Sequence, residues 1–170
     1  MTRRFPERRL CAAAAGVAAA LMLAGAELRA QGRTIEGTWM VLVTITTCGP
    51  DPVPIPNVPQ FQSLVTFVRD GSIYESTGAL AFAPNQRSEG HGQWSRLSDG
   101  RFLQRTIGLI RFSNNPQTVP PVEAGFQTIT QTVALTDEHA FTSEGTTEFF
   151  RFDGTSYRSG CASAVGQRFP

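Results

Sequence analysis

His91 is the side chain in this sequence with the widest choice of chemistry, because it lies between two glycines in the segment Ser88-Glu89-Gly90-His91-Gly92-Gln93-Trp94. An imidazole at that position could hydrogen-bond a ligand or act as a general base. The glycines also have a structural explanation, a bulge or a tight entry into a strand that leaves His91 exposed. Glu89 and Ser95 are neighbours in the sequence but do not thereby complete a triad. We therefore assign no catalytic residue.

The sequence predicts no metal site and no cofactor. Its two histidines, His91 and His139, fall at opposite ends of the predicted fold, whereas zinc and iron sites need several such ligands together. Glu144 and Glu148 alternate with other side chains along one predicted strand. That pattern is typical of a solvent-facing surface rather than of paired catalytic carboxylates.

The first 30 residues have the order of a secretory signal peptide. Four arginines lie within the first nine residues, an apolar run extends from Leu10 to Leu23, and the small residues Ala24-Gly25-Ala26 follow. The apolar run is shorter than the ~20 residues that a bilayer-spanning helix needs, so a membrane anchor is the weaker interpretation. We expect residues 1–30 to be removed and the remaining chain to be periplasmic or secreted.

Residues 31–170 are expected to form a single domain. Ten of the 15 basic and twelve of the 14 acidic residues belong to this part, so it is slightly acidic. Because no basic stripe remains to attract phosphate backbones, we expect no nucleic-acid partner. An outer-membrane barrel is disfavoured because the sequence has only two tyrosines and no aromatic girdles, and we expect no stable membrane insertion. The sequence sets no oligomeric state.

Cys48 and Cys161 are the two cysteines that remain once Cys11 leaves with the signal peptide. In an oxidising compartment we expect them to form a disulfide. Two free buried thiols are the alternative.

The composition of residues 31–170 predicts an all-β fold. Thr, Val, Phe and Ile occur in short runs separated by Gly, Pro and Asp-Gly, which is typical of strands and hairpins. The clearest alternation places Phe141 and Phe149 on one side of a strand and Glu144 and Glu148 on the other. The predicted strands are 34–47, 61–69, 72–77, 90–97, 101–112, 124–136, 140–152 and 155–168.

The connections between these strands alternate in length. Those after the second, fourth and sixth strands are tight, whereas 48–60, 78–89 and 113–123 are long and contain prolines. Successive connections of a meander alternate between its two ends. The long loops are therefore expected at one end, which we call the mouth, and the tight turns at the other, which we call the base.

Pairing of the first strand with the last would close the sheet into an eight-stranded antiparallel up-and-down barrel. Closure removes both exposed sheet edges and brings Cys48 opposite Cys161, within reach of a disulfide. The same register pairs further residues of the two strands. It places Thr46 opposite Ser163, Thr44 opposite Val165, and Leu42 opposite Gln167.

Gly37-Thr38-Trp39 opens the first strand, and Arg168 reaches the same end of the barrel from the last strand. This arrangement resembles the lipocalin and wider calycin group, in which a Gly-x-Trp on strand one packs beneath an arginine from the end of the barrel. The resemblance implies structural roles for Gly37, Trp39 and Arg168, and a small hydrophobic ligand that enters past the first loop, 48–60. The Gly-His-Gly-x-Trp segment is also similar to one in secreted bacterial proteins from which no activity carries over.

Our leading hypothesis is an exported barrel that binds a small hydrophobic or amphipathic molecule inside its mouth. One alternative is a cyclase or isomerase of an apolar substrate, which requires His91 or Tyr74 to point into the interior. Another is a structural or adhesion module with a solid core, since eight strands are few enough for side chains to fill the barrel. The residues expected to contact a ligand are Tyr74, His91, Phe112, Phe126 and Phe149.

Overall fold

The computed structural model describes residues 34–114 and 121–170, and the predicted signal peptide lies outside them. The described residues form eight strands. None of them forms a helix that is long and apolar enough to cross a bilayer. The strands are β1 Gly37–Thr46, β2 Phe61–Phe67, β3 Ser72–Thr77, β4 Gly90–Arg96, β5 Phe102–Ile110, β6 Gly125–Leu135, β7 Ala140–Arg151 and β8 Ser156–Arg168.

Each strand pairs antiparallel with the next, and β8 pairs with β1 to close the barrel. The predicted fold class, an eight-stranded up-and-down barrel, is therefore confirmed. The strand boundaries agree with the predicted ones to within a few residues because the turns mark them. The described parts of the connections before β2, β4, β6 and β8 form the mouth, and the three tight turns lie at the base.

The predicted disulfide is present, but the predicted register between β1 and β8 is wrong by two residues. Cys48 and Cys161 are bonded with their Cα atoms 5.3 Å apart, yet Cys161 pairs with Thr46 in the sheet. The reason is that β1 ends at Thr46 and the first loop folds back, with the Thr47 amide donating to the Val53 carbonyl at 2.9 Å. The disulfide thus joins a loop to a strand.

The same correction applies along both strands. Thr44 pairs with Ser163 and Leu42 pairs with Val165, rather than with the residues two positions further on. A shift of two residues preserves the side on which each side chain lies. The inward residues of β1 and β8 are therefore unaffected by the correction.

Large apolar side chains fill the base of the barrel. The Trp39 ring lies 4.9 Å from that of Phe141, and the Phe67 ring meets those of Phe141 and Trp94 edge to face. Such aromatic contacts add to the burial of the rings themselves. The other buried members of this cluster are Ile35, Val41, Val65, Ile73, Phe102, Val133 and Ala164.

Arg168 covers this aromatic core from below. Its guanidinium lies 4.2 Å from the centre of the Trp39 ring and donates to the carbonyls of Thr34, Glu36 and Glu138. Gly37 has a φ of 121°, and a Cβ at that position would lie 2.7 Å from Arg168 Nη1. Arg168 thus ties the segment before β1 to the β6–β7 turn.

Aspartates stabilise turns at both ends of the barrel. Asp70 accepts a hydrogen bond from the Ser72 amide, and this bond is the main reason that its pKa lies below the ordinary value. Asp153 has its pKa lowered in the same way by the Thr155 amide. Asp99 is bound by the Arg101 side chain and amide, which also lower its pKa. These short-range bonds fix the hairpins.

We predict that loss of the disulfide destabilises the barrel strongly. The cysteines are 113 positions apart, and a cross-link over so long a loop removes much entropy from the unfolded chain. The double variant Cys48→Ser/Cys161→Ser should lose about 4 kcal/mol of unfolding free energy in urea titrations. Equal stability of the double variant and the oxidised protein would contradict this expectation.

Candidate functional site

The upper half of the barrel contains a cavity of about 580 Å³. It opens between the loops at the mouth and lies above the aromatic core at the base. The barrel interior is therefore not solid, although eight strands could be filled completely by side chains. We take this space as the candidate functional site.

One side of the cavity is apolar because of the residues that β8, β1 and β2 turn inward. Between Arg158 and Arg168, the inward positions of β8 carry only small residues, so this wall lies farther from the centre of the barrel. Short side chains leave the space that larger ones would occupy. The residues on this wall are Val41, Val43, Ile45, Phe61, Val65, Gly160 and Ala162.

Two loops complete the mouth. The first loop lies against the end of β1, where the Ile55 amide donates to the Ile45 carbonyl at 3.0 Å, and it adds Ile55, Val58 and Pro59 to the cavity wall. Its predicted place at the entrance agrees with this position. The loop between β3 and β4 adds residues 79–82, and its Phe82 packs with Phe149.

The opposite side of the cavity carries a buried ion pair. Arg87 Nη2 lies 2.6 Å from Glu75 Oε2, and the two side chains are only 3% and 10% exposed. Arg87 Nε donates to the Gln127 amide oxygen at 2.6 Å, and Gln127 donates to Thr147 at 2.8 Å. These bonds join β3, β6 and β7 across the interior, and they satisfy charges that would be costly to bury alone.

Arg87 reaches this position from a loop rather than from a strand. Its backbone pairs with Ile110 at the end of β5, and the fully buried Gln86 beside it donates to the Phe112 carbonyl at 2.8 Å. A Cβ on Gly90 would lie 2.4 Å from the Glu75 carboxylate, and one on Gly108 would lie 3.0 Å from the Arg87 guanidinium. Both glycines therefore provide room for the ion pair.

Gln104 and Gln131 form a second polar pair on the cavity wall. The Gln104 amide nitrogen donates to the Gln131 amide oxygen. Among the described residues, the Gln104 amide oxygen and the Gln131 amide nitrogen make no hydrogen bond. Each of these groups can therefore still bind water or a ligand. The cavity thus has one apolar wall and one polar wall.

Arg158 lies on the rim of the cavity, at the start of β8. It shares the inward side with Gly160 and Ala162, and its guanidinium lies over the Phe149 ring at 5.2 Å from the centroid. Among residues 34–114 and 121–170 it has no ion-pair or hydrogen-bond partner. It is a half-buried cation beside the apolar wall of the cavity.

Tyr74 and His91 lie on the outer surface of the barrel. They are direct partners across β3 and β4, and their rings meet edge to face at 5.4 Å. Tyr74 is 49% exposed, and His91 borders a concave region of the outer surface formed by β4 to β7. Neither side chain lines the interior, which was the requirement of the cyclase or isomerase alternative.

The three predicted phenylalanines are divided between the two sides of the barrel. Phe149 lines the cavity, whereas Phe126 stacks on Phe150 at 4.9 Å on the outer surface. Phe112 follows β5 and is 44% exposed. The structure thus brings only Phe149 to the cavity, and the ligand contacts of all five predicted residues stay untested.

The glycines beside His91 have structural explanations. Gly90 makes room for Glu75, as described above. A Cβ on Gly92 would lie 1.8 Å from the Arg105 carbonyl oxygen on the neighbouring strand. This close approach of two backbones requires glycine whatever the role of His91.

The sequence contained a signal for the cavity residues that our interpretation missed. Arg158 lies on the same side of β8 as Arg168, which the resemblance places against Trp39 at the base, and as the small residues between the two arginines. Glu75 likewise lies on the same side of β3 as Ile73 and Thr77. Arg87 had no such signal because it comes from a loop.

The fold and the cavity define a class, an eight-stranded up-and-down barrel with an interior cavity. The sequence matches no protein-family model, and no curated protein is similar to it at a significant level. Within residues 34–114 and 121–170, no three His, Cys, Asp or Glu side chains are grouped so that they could hold a metal ion.

We predict that Gly92→Ala destabilises the barrel far more than His91→Ala. The new methyl group would collide with the Arg105 backbone, which is expected to cost about 3 kcal/mol or more. His91→Ala removes one exposed ring contact and should cost less than about 1 kcal/mol. Thermal and urea unfolding of both variants measure the difference, and a greater loss in His91→Ala would refute our explanation of the glycines.

We also predict that Glu75→Gln is strongly destabilising. It leaves the buried Arg87 guanidinium without its counter-charge, and breaking a buried pair in this way costs about 3–5 kcal/mol. Glu148→Gln on the outer surface is the matched control and should change stability by less than about 0.5 kcal/mol. Equal urea midpoints for the two variants would show that the Arg87–Glu75 pair does not hold the barrel together.

Proposed function

We propose that this protein binds a small amphipathic molecule inside the mouth of its barrel. The observation that carries the proposal is the cavity itself, about 580 Å³ in a fold narrow enough to have been filled. Its volume lies within the roughly 300–1,000 Å³ that is usual for small-molecule sites. Export of the protein, as its first 30 residues predict, would make that molecule a periplasmic or extracellular one.

The chemistry of the walls supports an amphipathic ligand. The apolar body of such a molecule would lie against β8, β1 and β2, where burial of apolar surface supplies the binding free energy. Polar groups on its other side would meet the amides of Gln104 and Gln131. The Arg87–Glu75 pair contributes polar atoms without a net charge to this wall.

The two loops at the mouth provide a route of entry. Leu80 is 83% exposed although its loop lines the cavity, and Ile55 and Val58 on the first loop are also exposed. Apolar side chains exposed around an opening are what a ligand would cover on binding. We infer that the ligand enters between the first loop and the β3–β4 loop.

The proposal predicts that filling the cavity weakens binding. Ala162→Phe places a ring in the cavity, whereas Ala134→Phe makes the same change on the outer side of β6. With the neutral fluorophore N-phenyl-1-naphthylamine as the probe, Ala162→Phe should weaken binding at least about fivefold and Ala134→Phe less than about twofold.

Fluorescence titration measures both affinities, and circular dichroism checks that each variant is folded. If the fluorophore fails to bind the unaltered protein, or if folded Ala162→Phe binds it as tightly, the cavity is not a ligand site. A loss of binding confined to Ala134→Phe would instead place the site on the outer surface.

A further inference from the structure

Charge within the cavity is unevenly balanced. Among the described residues, three ionised side chains line it, Glu75, Arg87 and Arg158. Glu75 and Arg87 neutralise each other at 2.6 Å and are almost fully buried. Within the described part of the chain, Arg158 therefore has no counter-charge, and it lies at the rim rather than in the interior.

The acidic residues around the start of β8 do not pair with Arg158. Glu148 pairs with Ser159 and borders the outer surface. Asp153 accepts a hydrogen bond from the Thr155 amide in the β7–β8 turn. The Glu123 carboxylate forms an ion pair with Arg151, with Nε and Oε2 2.6 Å apart. Among the described residues, none of these carboxylates reaches Arg158.

Phe149 holds the guanidinium of Arg158 in place. The 5.2 Å cation–π contact fixes one face of the group, while its N–H donors have no hydrogen-bond partner among the described residues. A guanidinium with its donors free suits a carboxylate, which it can bind through two parallel hydrogen bonds. The apolar wall begins directly below, at Gly160 and Ala162.

We propose that Arg158 is the headgroup site of this cavity, and that the ligand is a monoanionic amphiphile whose carboxylate binds Arg158 while its apolar body lies along β8, β1 and β2. This inference rests on the proposed function, since it names the chemical class of the molecule in the same cavity. It adds a requirement for negative charge that the cavity alone does not impose.

Three ligands of equal chain length test the requirement: decanoate, decan-1-ol and decyltrimethylammonium. Isothermal titration calorimetry of the disulfide-bonded protein, below the concentrations at which the ligands form micelles, gives each affinity. Decanoate should bind about tenfold or more tightly than decan-1-ol, because hydrogen bonds to charged groups are the stronger ones. Decyltrimethylammonium should bind most weakly.

The variant Arg158→Gln should reduce the preference for decanoate over decan-1-ol to less than about twofold, while decan-1-ol affinity stays within about twofold of the original. Arg158→Lys should retain part of the preference, because lysine keeps the positive charge but cannot form the bidentate hydrogen bonds to a carboxylate. Arg105→Gln, which removes an arginine from the outer surface, is the control and should leave the preference unchanged.

The outcomes separate the two proposals. If decanoate and decan-1-ol bind equally well, the headgroup site is refuted and the binding cavity stands. If Arg158→Gln weakens both ligands equally, Arg158 acts only through its packing on Phe149, and the headgroup site is again refuted. If the unaltered protein binds none of the three ligands, the proposed function fails and the headgroup site with it.

Discussion

The pairing of β1 with β8 is the interaction on which the whole structure depends. It turns a meander with two exposed edges into a closed barrel, and it gives the inward side chains a single enclosed space to share. Two features secure it at opposite ends. The Cys48–Cys161 disulfide joins the loop after β1 to β8 at the mouth, and Arg168 of β8 binds the segment before β1 at the base.

The closed space is filled unevenly, and the cause lies in the size of the inward side chains. Trp39, Phe67 and Phe141 pack against one another at the base and occupy the interior there. Toward the mouth, β8 contributes Gly160 and Ala162, which cannot reach the centre. Polar side chains from the opposite strands bond to one another instead of filling the gap. The result is a cavity with one apolar and one polar wall.

Much of the fold could be predicted from the sequence because turn residues mark the hairpins and loop lengths alternate. The β1–β8 register could not be predicted in the same way, because the prediction assumed that Cys48 belongs to β1. Cys48 instead lies in the loop that begins at Thr47. The site was harder to predict. Tyr74 and His91 are side chains that can transfer protons, but strand alternation places them on the outer surface. Arg87 enters from a loop, where no periodicity reveals it.

We propose that the closed barrel holds an amphipathic anion in its mouth, and a crystal structure of the protein with 10-bromodecanoate would locate that ligand. The anomalous signal of bromine marks the far end of the ligand without ambiguity. We expect one bromine peak beside Val43 or Ala162, with the carboxylate at Arg158. A peak only on the outer surface of β4 to β7, or an interior closed by residues 79–82 with no peak at all, would refute the proposal.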